Sequence, residues 1–226
     1  MSRRMALILL SIASLVVLGY SQNAASNNQS DLLPDEDGGQ VRVVRADSGA
    51  STVAGKETAT IAAPRQVSMF FGGGWAEEST RIREGQLTNL LTTAGSAKQQ
   101  EMSKSGVRAV DSRNSFTEDF TDMRLHPPLT DLNIQRQIQT WISTGAMAAP
   151  KANSVYVIYL GPGVRSMLRD KVGGQDYLGY YSLVHLDVGN IVYAVVPYDA
   201  DTARMQQTAS RLLMEAAIDP PAAKRQ

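Results

Sequence analysis

The sequence predicts an α/β protein: a single domain with a central mixed sheet flanked by helices, preceded by a signal peptide and a flexible linker. Two observations carry this reading. Three compact apolar runs, at residues 67–71, 154–160 and 191–196, have strand length and are rich in β-branched and aromatic residues. They alternate with three segments, 77–93, 131–144 and 201–217, whose apolar residues recur every three or four positions. Such alternation packs helices on a sheet. The predicted boundaries are 1–21 for the signal peptide, 22–65 for the linker, 66–220 for the domain and 221–226 for a C-terminal tail.

The first 21 residues have the form of a secretory leader. Arg3 and Arg4 precede an uncharged apolar run from Met5 to Leu18, and Gly19 and Ser21 supply small residues for cleavage. The run is shorter than the ~20 residues that span a bilayer comfortably, so cleavage is favoured over an uncleaved anchor. A secreted or periplasmic location follows, with no transmembrane span in the mature chain. Residues 22–65 are rich in Asn, Ser, Gln, Asp, Gly and Thr, too polar on average to offset their ordering entropy. Val41 to Val44 form a short strand-like run within them, but the segment as a whole reads as a spacer.

Val67-Ser68-Met69-Phe70-Phe71 suits a buried strand, and Gly72-Gly73-Gly74 lets the chain turn before Trp75. The helix that follows places Ile82, Leu87, Leu90 and Leu91 on its apolar side. A glycine loop between strand and helix suggests a phosphate loop, but there is no Lys-Ser/Thr ending. Glu77 and Glu78 occupy the first turn, where a phosphate needs positive potential. Residues 94–125 mix charged and apolar positions and read as a surface crossing with one edge strand, placed at Gly106–Val110. His126 precedes two prolines in a loop and is assigned no role. Thr130 or Asp131 caps the second helix, and Gly145 stops it. Ser154 to Leu160 is apolar on both faces and therefore central. Residues 177–186 and 190–197 form a hairpin around Asp187-Val188-Gly189-Asn190.

The last helix contains Thr208-Ala209-Ser210-Arg211-Leu212-Leu213-Met214-Glu215-Ala216-Ala217-Ile218-Asp219-Pro220. Arg211 and Glu215 are one turn apart and able to pair. This stretch resembles the terminal motif of the exordium-like (phosphate-induced) secreted proteins, which reads approximately T-A-S-H-E-L-A-E-A-x-T-D-P. Pro128 to Val164 is similar to the same family's L-T-D, helix, V-Y-x-V-x-L-x-P-G-V pattern, and Leu178 to Ser182 to its G-Y-H-S. The resemblance covers residues 66–220 and implies a zincin-like fold. Its metal chemistry is not carried over: Arg211 stands at the motif histidine, Leu212 at the following glutamate, and Tyr181 at the G-Y-H-S histidine. A guanidinium repels a cation and cannot be deprotonated, and leucine cannot act as a base.

The chain has 226 residues, 22 basic and 22 acidic, and no cysteine. Loss of the leader leaves 20 basic against 22 acidic side chains, a net charge of −2. Nucleic acid and anionic membranes both call for a basic excess, so neither is an expected partner. With no cysteine and two histidines, no nucleophile–base–orienter set can be assembled. No catalytic residue, metal or cofactor is therefore assigned. The candidate ligand-cleft residues are Arg211, Glu215, Tyr181 and His185. The resemblance and its departures imply an inactive zincin-like domain, a pseudoenzyme, that binds a protein or glycan in the cell envelope. The alternatives are a metal-dependent hydrolase rebuilt around Glu215 and His185, or a purely structural envelope protein.

Overall fold

The computed structural model of the chain describes residues 31–34, 40–45, 61, 64–88, 90, 116–120, 128–147 and 149–219. Their elements run in the order β1 (Asp31–Pro34), β2 (Gln40–Arg45), β3 (Arg65–Phe71), α1 (Glu78–Thr88), β4 (Phe116–Phe120), β5 (Leu129–Thr130), α2 (Asp131–Ser143), β6 (Ser154–Leu160), β7 (Ser166–Leu168), β8 (Lys171–Val172), β9 (Tyr177–Leu186), β10 (Gly189–Val196) and α3 (Thr202–Ile218). Among these residues, seven strands form one sheet in the order β1-β2-β9-β10-β6-β3-β4, and β5-β7-β8 form a small second sheet.

The large sheet is mixed. β10, β6, β3 and β4 are parallel neighbours, whereas β1, β2, β9 and β10 pair antiparallel. β6 has no polar residue after Ser154, all seven of its residues are buried, and it pairs on both sides. That is the environment a strand apolar on both faces requires. α1 and α3 cover one face, over Phe70, Val157, Tyr159, Tyr181 and Ala194. α2 covers the other, over Phe71, Tyr156, Ile158, Tyr180 and Tyr193. The expected α/β class with helices flanking a mixed sheet is the observed one.

The helix starts follow from local chemistry. Thr130 caps α2 through a capping box with Asn133, the Thr130 hydroxyl accepting from the Asn133 amide and the Asn133 side chain accepting from Thr130. Asp201 caps α3 by accepting from the amides of Ala203 and Arg204 at 2.9 and 3.3 Å.

Two expectations change. β1 and β2, inside the stretch that reads as a spacer, belong to the sheet, and β2 pairs with β9 from Arg42↔Tyr181 onward. Val41, Val43 and Val44 are buried, and the Ile61 amide donates to the Ala217 carbonyl at 2.9 Å. The polar average of 22–65 hid a six-residue strand whose partner lies some 135 residues further along the chain. In α1, Ile82 is 72% exposed, not buried, whereas Leu87 and, beyond the helix end, Leu90 are buried as expected. Within the α1-to-α2 crossing, Phe116–Phe120 forms a strand at the sheet edge, parallel to β3. Gly106–Val110, Leu91 and His126 lie outside the described residues, as do the leader and the 221–226 tail.

At the carboxyl ends of the parallel strands, the two glycine loops pack into each other. A Cβ on Gly72, where φ is +109°, would come within 2.6 Å of Val164, and one on Gly74 within 2.8 Å of Pro162. The Trp75 indole donates to the Tyr159 carbonyl at 3.2 Å, and the Gly161 amide to the Phe71 carbonyl at 2.7 Å. Open α/β sheets bind ligands in this crevice; here side chains fill it.

Candidate functional site

α3 approaches β9 closely because Gly179 has no side chain. A Cβ there would meet Leu212 Cδ1 at 2.7 Å and the Val195 carbonyl at 2.8 Å. This contact sets the rotation of the helix. Leu212, Leu213, Ala209 and Ala216 point into the core, and Arg211 and Glu215 come to its rim. Leu212 is fully buried. The position following Arg211 therefore faces the sheet and not a solvent-accessible site.

Arg211 Nε donates to Glu215 Oε1 at 2.7 Å, and the two side chains are 17% and 12% exposed. The other carboxylate oxygen, Glu215 Oε2, is buried without a hydrogen-bond partner. One turn further, Arg42 of β2 pairs with Asp219 at 2.6 Å. Tyr181, the cross-strand neighbour of Arg42, sits between the two pairs, and its hydroxyl makes a long 3.5 Å hydrogen bond to the Asp219 carbonyl. Burial pushes the Tyr181 phenol well above its ordinary range; Arg42 opposes this, and Glu215 and Asp219 add to it. The group stays neutral and cannot serve as a base near neutral pH.

The structure thus brings together three of the four sequence-predicted residues, Arg211, Glu215 and Tyr181. His185 does not join them. It lies four residues further along β9, about 13 Å at ~3.3 Å per residue. Its side chain is exposed, with Nδ1 at 2.5 Å from Asn190 Oδ1 across the hairpin. Among the described residues, no three His, Cys, Asp or Glu side chains converge as metal ligands would.

A second polar cluster lies beneath α2. Thr130 takes the capping position, so Asp131 turns inward and is 1% exposed. Its two oxygens accept from the Tyr193 hydroxyl at 2.8 and 2.9 Å, and Gln135 Nε2 donates at 2.6 Å. Tyr177 donates to Ser166 at 2.9 Å, and the buried Tyr180 hydroxyl lies beside Asp131. Burial raises the pKa of all three tyrosines, and the Asp131 charge raises each further. In the sequence, Asp131 reads as a cap candidate and as the last residue of the L-T-D pattern. The signal for more was three tyrosines on buried strands, whose hydroxyls need partners.

At the other end of α3, a shallow groove is lined by Leu178, Pro197, Tyr198, Met205 and Thr208, among others. It has room for about one water molecule, too little for an organic ligand. Arg83 closes the adjoining loop, donating to the Tyr198 and Thr202 hydroxyls at 2.6 and 2.7 Å and to the carbonyls of Asp199 and Ala200. Arg204 pairs with Asp199 at 3.1 Å. Among the described residues, no helix is long and apolar enough to cross a membrane. No family model, no curated protein and no solved structure matches the chain.

Proposed function

We propose that the chain is an exported, catalytically inactive domain of the exordium-like, zincin-like kind that acts in the cell envelope by binding a protein or glycan. The observation that carries the reading is the Arg211–Glu215 bond at 2.7 Å on the helix face that bears the family-like motif. A permanent cation occupies the carboxylate there, and Leu212, at the position of the motif glutamate, is packed against Gly179 in the core. Metal chemistry would need a different rotation of α3, which Gly179 and Leu212 together oppose.

A second reading, a purely structural envelope protein, is favoured by one observation. Tyr181 is 1% exposed and lines the contact between α3 and the sheet, not an open cleft. Two measurements test the proposal. Elemental analysis of the purified full chain is expected to find no stoichiometric metal, and bound zinc accompanied by hydrolysis would return the chain to the enzymes. Co-sedimentation with insoluble envelope fractions is expected to retain the protein. Failure to sediment with any polysaccharide or protein fraction would favour the structural reading.

A further inference from the structure

We draw no further inference here: the strongest candidate, the Asp131, Tyr177, Tyr180 and Tyr193 cluster beneath the start of α2, lies sealed in the core, where nothing in the structure points to a ligand and only shifted tyrosine pKa values set it apart from ordinary packing.

Discussion

The two faces of the sheet solve the same problem with opposite chemistry. On the α3 face, the carboxylates of Glu215 and Asp219 sit at a partly open rim and each is met by a guanidinium. On the α2 face, Asp131 is buried almost completely and is met by a phenol and an amide. Near the surface a cation is cheap to keep, because its unused donors remain close to water. In the core a second ion would add its own desolvation penalty, and neutral donors avoid that. One of the rim pairs also fastens elements distant in sequence, since Arg42 belongs to β2 and Asp219 caps the end of α3. The core cluster fastens α2 to β10 through the Tyr193 hydroxyl, which donates to Asp131.

The sharpest way to break this comparison is to remove the strand that brings Arg42 to the rim. A chain starting at Pro64 loses the burial of Val41, Val43 and Val44, at about 1.5–3 kcal/mol each, together with one neighbour of β9. Its stability should fall by about 5 kcal/mol or more, a large part of the ~5–15 kcal/mol of an ordinary domain. Chemical denaturation of the two chains checks this. An unchanged midpoint for the shorter one would return residues 31–45 to the status of a spacer.

Next in size is Arg211→Met, which leaves Glu215 half-enclosed and unpaired, at a cost of about 3 kcal/mol. Glu215→Gln should cost less, and the double variant less than the sum, with a coupling of about 1–3 kcal/mol. Melting curves of the three variants give the coupling. A value near zero would make the pair ordinary surface decoration.

The tyrosines sharpen the contrast through pH. Tyr180 and Tyr193 have folded pKa values raised well above the free value of ~10, chiefly by burial and then by Asp131. Their contribution is fully present below pH ~10 and is lost as pH rises towards the folded values, at about 1.4 kcal/mol per pH unit for each tyrosine. Alkaline unfolding followed by phenolate absorbance should show both ionising only as the fold is lost. Ionisation of either in the native protein near pH 10 would contradict the burial.

The smallest expected effect is that of Arg42→Ala. Arg42 and Asp219 are 26% and 49% exposed, so their ion pair should contribute about 0–1 kcal/mol and weaken with salt. A loss as large as that of Arg211→Met, measured in the same buffer, would show that the two ends of the rim act as one network.

The sequence made the central architecture legible wherever signals were local. Periodicity located α2, α3 and the β9–β10 hairpin to within a residue or two, and the apolar run of β6 announced a central strand. The Arg211–Glu215 pair was readable because i,i+4 spacing is itself geometry. Legibility ended where partners are remote. Nothing near Val41 indicates a strand 135 residues later, and nothing near Asp131 says that Tyr193 will donate to it. The exposure of Ile82 had the same origin: α1 carries few apolar residues, so its inward face was chosen by what packs against it, not by its own pattern.

The pairing of β2 with β9 also governs the order in which the molecule can be completed. β2 leaves the ribosome well before β9 is synthesised. Pairings of such long sequence separation form slowly, because the closure entropy of the intervening chain must be overcome before any contact rewards it. The valines of β2 therefore remain without their partner strand until β9 and β10 are in place. Asp35, Glu36 and Asp37, just upstream, are charged residues of the kind that discourage premature pairing between unfinished chains. A strand synthesised early is thus among the last to find its place, and until it docks its apolar side chains are open to pairing with other chains.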